Sequence, residues 1–196
     1  MATDFIDPNA DGTAQDWTAY PSTPAWDCIN DGVRQPTSVD SSYIESSTDA
    51  YASEFNFTTL TVASVSSVVV WVYHMDGGAD STVIGVQIYM GGSWQTQQNL
   101  PHNLDGWDSL TFNGTWTQAD LNALQVRVIS VMPEGGYSDI FEIYGVVTYS
   151  EAGTNMQVNI GDAWKEIAAI KINIGDVWKD AAGMKVNIGD AWKTIF

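Results

Sequence analysis

The chain has 196 residues, 44% of them apolar and only 16% charged, with nine Trp and eight Tyr. Few Lys and Glu beside many β-branched and aromatic residues make a strand-forming composition with enough apolar mass for a sizeable core. The net charge of −17 is lopsided: residues 1–151 hold nineteen acids, two arginines and no lysine, whereas residues 152–196 hold five lysines and five acids, and so acidic a body argues against a nucleic-acid partner.

Met1-Ala2-Thr3-Asp4 opens no basic-then-apolar leader, so no secretory signal is expected. The first forty residues read as turns with anchoring aromatics: Asp7-Pro8-Asn9-Ala10-Asp11-Gly12, then Trp17, Tyr20, and Trp26 to Gly32. Asp7, Asn9 and Asp11 with Gly12 match the front half of a calcium loop, where alternating oxygen side chains surround the ion. The twelfth position is Thr18 where a bidentate Glu is required. The stretch therefore reads as an Asx-rich turn, with Asp7, Asn9 and Asp11 kept as candidate calcium ligands in a site completed from elsewhere; no cofactor is required. Cys28 is the only cysteine, which excludes an internal disulfide and suits a small core residue.

Strand patterns begin at Ser42-Tyr43-Ile44 and Ser53 to Phe57, where polar and aromatic residues alternate. Val65 to Tyr73 is a continuous β-branched run, the pattern of a strand buried on both faces. Its apolar core, Val68 to Tyr73, is far below the ~20 residues that cross a membrane. His74 to Asp80 supplies a turn. Val83–Met90 and Trp94–Gln97 flank Gly91-Gly92, a strong hairpin signal. Leu100 to Asp108 reads as a loop, with a strand around Ser109 to Phe112. Thr117 caps the one helical passage, with Asp120 in its first turn and Leu121 and Leu124 on one face. Gln125–Met132 and Asp139–Ser150 are the closing strands. About eight strands and one short helix predict an all-β, two-sheet sandwich over residues 1–151.

The tail, residues 152–196, writes one phrase three times at a fixed period: Asn159-Ile160-Gly161-Asp162-Ala163-Trp164-Lys165 returns from Asn173 and again from Asn187. Such a period means tandem copies of one small unit. If Gly161-Asp162 is a two-residue turn, Ile160 faces Ala163, Asn159 faces Trp164 and Val158 faces Lys165. A lone two-stranded hairpin has too little core to be stable in water. The expected contacts are therefore with one another or with a neighbouring subunit, through Val158, Ile160, Trp164, Ile167, Ile172, Ile174, Trp178, Val186, Ile188, Trp192 and Phe196.

Chemistry finds little support. His74 and His102 fall on predicted loops without metal spacing, and no nucleophile elbow, phosphate loop or dinucleotide fingerprint is present. No enzyme is expected. Trp94, Trp107 and Trp116, in or beside loops, are candidates for a platform on which sugar rings stack, against the alternative that all nine Trp are structural.

Five segments carry a resemblance: Pro8 to Trp17, Trp26 to Asp31, Ser42-Tyr43-Ile44, Trp116-Thr117-Gln118-Ala119-Asp120-Leu121-Asn122-Ala123-Leu124-Gln125-Val126, and Ile143 to Tyr149. Together they resemble a jelly-roll domain found in structural proteins of tailed bacteriophages and in some prophage-derived or surface proteins. The Val-Asn-Ile-Gly-Asp-Ala-Trp-Lys hairpins are similar to short repeats at the ends of phage head and tail proteins. The resemblance implies a jelly-roll body and a non-enzymatic virion component, assembled in the host cytoplasm, with itself and other virion proteins as partners. The alternative is a carbohydrate-binding or adhesion module of β-sandwich type, with glycans as partners. Neither nucleic acid nor membrane is expected as a partner.

Overall fold

A computed structural model describes residues 1–21, 24–30, 32, 34, 42–78, 81–102 and 105–151, and the backbone of residues 157–160, 163–166, 171–174, 177–180, 185–188 and 191–194. The chain divides into two compact units, Met1–Ala152 and Gly153–Phe196.

The first unit contains β1 (Ala2–Ile6), β2 (Pro8–Gln15), β3 (Thr18–Tyr20), a 3-10 turn (Ala25–Ile29), β4 (Tyr43–Ser46), β5 (Ala52–Phe57) and β6 (Val62–Gly78). It continues with β7 (Val83–Met90), β8 (Ser93–Trp94), β9 (Gln98–Asn99), β10 (Gly106–Trp116), helix α1 (Gln118–Asn122), β11 (Gln125–Val131) and β12 (Gly136–Glu151). One sheet has the order β10-β6-β12-β4-β3, with β1 sharing the β12 edge that β4 uses; the other has the order β2-β5-β11-β7-β8, with β9 also on β7. All pairings are antiparallel. The fold is an all-β, jelly-roll-like sandwich with one short α-helix.

Alternation explains the core. Val68, Val70 and Val72 of β6, Val126 and Val128 of β11, and Ile140 and Ile143 of β12 are fully buried. Each stabilises the fold by about 1.5–3 kcal/mol relative to an exposed position. Cys28 is buried here too, as expected. The Gly91-Gly92 hairpin forms, with both glycines at positive φ (65° and 77°) and Met90 paired with Ser93. Helix α1 carries the expected Thr117 cap, completed as a capping box by Asp120, and it buries Leu121.

Three expectations are corrected. The amino-terminal segment is not a run of turns but contains β1, β2 and β3. Its turn-type residues are accommodated because β2 is a sheet edge, with irregular register between Pro8 and Ala10 and between Asp11 and Gln15. Gly12 is needed there, since a Cβ would lie 2.5 Å from the Glu54 Cβ. The β6 strand also runs on through His74 to Gly78, where a turn was predicted, and pairs with β12 as far as Gly136. Nor is it buried on both faces. Val68, Val70, Val72, His74 and Asp76 point inward with no exposure, while Val69, Trp71, Tyr73 and Met75 on the other face are half-buried.

The second unit consists of β13 (Gln157–Ile160), β14 (Ala163–Glu166), β15 (Lys171–Ile174), β16 (Val177–Asp180), β17 (Lys185–Ile188) and β18 (Ala191–Thr194). They form three separate two-stranded antiparallel sheets. In the first, Ile160 pairs with Ala163, Asn159 with Trp164 and Val158 with Lys165, the register expected from the turn. The other two repeat it residue for residue.

Candidate functional site

The outer face of the β10-β6-β12-β4-β3 sheet carries a file of aromatic rings. Tyr20 of β3 stacks on Tyr43 of β4 with centroids 5.0 Å apart, and Tyr43 lies 5.4 Å from Phe141 of β12. Phe141 meets Tyr73 of β6 at 5.9 Å, and Tyr73 meets Trp107 of β10 edge-to-face at 5.3 Å. Trp107 then reaches Tyr144 at 5.5 Å, and Tyr144 touches both Trp71 and Phe5. The file crosses the sheet from β3 to β10.

Register places these rings. Trp107 pairs with Tyr73, and Trp71 with Tyr144, so each pair shares a face. The register slips between Ile140 and Glu142. This bulge re-aims the chain so that Phe141 joins the file while Ile140 and Ile143 stay in the core. Most of these rings are half-buried; Tyr144 is buried, whereas Phe5 is 52% and Tyr20 41% exposed.

Polar groups border the file. Asp105 accepts a hydrogen bond from the Tyr73 hydroxyl; this bond, burial and the Asp105 charge push the phenol up to about 12. Asp139 pairs across β12 with Glu45 of β4 and Met75 of β6. It is only 6% exposed, and its Oδ1 makes no hydrogen bond among the described residues. Burial, then the charges of Glu45 and Asp76, push its carboxyl up to about 6. Arg34 lies over the Tyr144 ring at 4.6 Å and the Phe5 ring at 5.3 Å, paired with Asp7 and 3.9 Å from Glu142.

The three tryptophans predicted as a platform are not brought together. Trp94 lies on the other sheet, its ring covered by the Arg127 guanidinium at 3.9 Å. Arg127 in turn donates to Glu54 (Nε, 2.9 Å), which also accepts from the Thr13 and Ala14 amides. Trp116 is a core residue, 7% exposed. Trp107 alone joins the aromatic file, from a strand and not a loop. Alternation on two different sheets separates residues that sequence order had grouped.

The candidate calcium residues also go elsewhere. Asp7 pairs with Arg34, Asp11 accepts from the Ala25 and Trp26 amides at 3.3 and 2.8 Å, and Asn9 is exposed on β2. Among the described residues, no group of three His, Cys, Asp or Glu side chains is arranged to hold a metal ion. His74 corrects its loop assignment: it is buried on β6, with Nδ1 3.1 Å from Asp76 and Nε2 3.2 Å from Asp108, while Ser138 donates to Asp76 at 2.6 Å. His102 does lie between strands, its Nδ1 2.8 Å from the Thr82 carbonyl.

Of the tail residues expected at an interface, Val158 and Ile160 lie on β13, Trp164 on β14, Ile172 and Ile174 on β15, Trp178 on β16, Val186 and Ile188 on β17, and Trp192 on β18. Their side chains, and Ile167 and Phe196 altogether, lie outside the described residues.

No family model and no curated protein matches the sequence. Among solved structures, the chain is similar to the C-terminal CBM6 of the laminarinase LamC from Zobellia galactanivorans. The TM-score is 0.41 at 10% identity, covering 75% of this chain and 100% of that one. It is also similar to the CBM36-1 domain of a xylanase from the hindgut metagenome of Trinervitermes trinervoides (TM-score 0.41, 8% identity, 77% and 100% covered). A structure of infectious bursal disease virus, Gt strain, matches with a TM-score of 0.39 at 9% identity, over 76% of this chain and 33% of that one. These are distant likenesses, and none assigns a ligand or an assembly to this chain.

Proposed function

We propose that this protein is a non-catalytic structural component of a bacteriophage particle, a capsid decoration or an outer element of head or tail. The jelly-roll body is displayed, and the repeat tail joins it to copies of itself and to other virion proteins. One observation carries the reading: three separate two-stranded sheets repeat one register along the tail. A lone hairpin of this size is marginal in water and leaves strand edges open to pairing. Three identical ones therefore stabilise best against a partner that repeats with the same period, such as another copy of the tail. The resemblance of the Trp116–Val126 passage and of the repeats to phage structural proteins supports the setting, and the sequence offers no catalytic motif to support a reaction.

The test is incorporation. Particles purified from a host that produces the tagged full chain should contain it, whereas a chain ending at Ala152 should fold yet be absent. Equal incorporation of the two forms, or absence of the full chain from particles, contradicts the proposal.

A further inference from the structure

We infer that the aromatic file on the outer face of the β10-β6-β12-β4-β3 sheet is a binding site for a neutral oligosaccharide chain, whatever the tail assembles with. Antiparallel sheets that face water ordinarily turn polar residues outward. Here five neighbouring strands turn rings outward, Tyr20 exposed and the other four half-buried, and contiguous, partly exposed apolar surface of this kind marks an interaction site. The strand order sets its length. From β10 to β3 there are four inter-strand steps of about 4.8 Å each, so the file runs for about 19 Å. That is a length for several sugar rings end to end, not for a single small molecule.

The chemistry of the file matches a sugar chain. A pyranose presents a flat C–H face that packs on an aromatic ring and a rim of hydroxyls that donate to carboxylates. Tyr20, Tyr43, Phe141, Tyr73 and Trp107 supply the rings in order. Asp105, bonded to the Tyr73 hydroxyl, and Glu45, on the strand of Tyr43, supply acceptors beside them. The body's acidity selects against sulfated, sialylated or phosphorylated chains.

Two features favour a sugar chain over a basic peptide. The cationic seat described on this face is already taken, by Arg34 on Tyr144 and Phe5 between Asp7 and Glu142. The remaining rings run in single file, stacked, tilted or edge-to-face with their neighbours, instead of forming the enclosure in which aromatic rings grip a cation.

The experiment applies the full chain to an array of neutral gluco-, xylo-, manno- and galacto-oligosaccharides, with sulfated and sialylated glycans and oligolysine as further probes. Any hit is titrated by calorimetry. The expected result is binding of at least one neutral class, weakened tenfold or more by Trp107→Ala and by Tyr20→Ala, with Trp94→Ala on the other sheet unchanged. Should Trp107→Ala fail to fold, Tyr20→Ala decides, because that side chain is 41% exposed. The inference is overturned if no neutral glycan binds at millimolar concentration, if Trp94→Ala weakens binding as much as Tyr20→Ala, or if only the anionic glycans or oligolysine bind.

Discussion

Asp139→Asn should stabilise the protein at neutral pH and leave its stability at acid pH nearly unchanged. Asp139 is almost wholly buried, one of its oxygens lacks a hydrogen bond among the described residues, and Glu45 and Asp76 add negative potential. Burial and these charges raise its carboxyl from the ordinary 3.8 to about 6. A raised carboxyl means that folding favours the protonated form. Its contribution is therefore fully present below about pH 4 and is lost as pH rises through about 6. At about 1.4 kcal/mol per pH unit, the loss approaches 3 kcal/mol. For a body of this size, that corresponds to roughly 6–12 °C in Tm. Thermal melts of wild type and variant at pH 4 and pH 7.5 read it directly. The gap between them should be small at pH 4 and should open by several degrees at pH 7.5, with the variant the more stable. A gap that does not change with pH, or one that opens in favour of wild type, refutes the reasoning. Taking the difference between the two proteins cancels the titration of carboxylates that do not interact with Asp139.

Three further outcomes follow from the geometry. Burial works to raise the Glu54 carboxyl, but the Arg127 side chain, the Ala14 amide, the Arg127 charge and the Thr13 amide together hold it below its usual range. Arg127→Ala strands that charge and uncovers Trp94, so urea denaturation at pH 7 should show a loss of about 3 kcal/mol or more, shrinking as pH falls below the ordinary carboxylate range and Glu54 protonates. Thr117→Ala removes half of the α1 capping box and should cost about 1 kcal/mol in the same assay. A chain ending at Ala152 should melt cooperatively, since the first unit has a hydrophobic core of its own among the described residues; a non-cooperative melt would contradict this.

The features legible in the sequence are those decided locally. Gly91-Gly92 sets its hairpin because both residues sit at positive φ. Thr117 and Asp120 satisfy the first amides of α1 from within one turn. The tail register follows from turn length, so Val158 opposite Lys165 could be written down in advance. What escaped reading depends on partners distant in sequence. The β2 strand looks like a turn until Phe55 and Phe57 of β5 are set beside it. Val65 to Tyr73 looks doubly buried because Trp71 and Tyr73 are as apolar as the valines around them; only the sheet order shows that they face outward. The Phe141 bulge that completes the aromatic file leaves no mark in the local pattern. Trp107 joins an aromatic file on a sheet face, but the companions expected with it lie on another sheet and in the core.

The division of labour between body and tail is tested most directly by molar mass in solution. Light scattering on the full chain should give a multiple of the 21.4 kDa protomer, and the chain ending at Ala152 should give a folded monomer. A monomeric full chain, or a truncated chain that keeps the same multiple, would contradict the account.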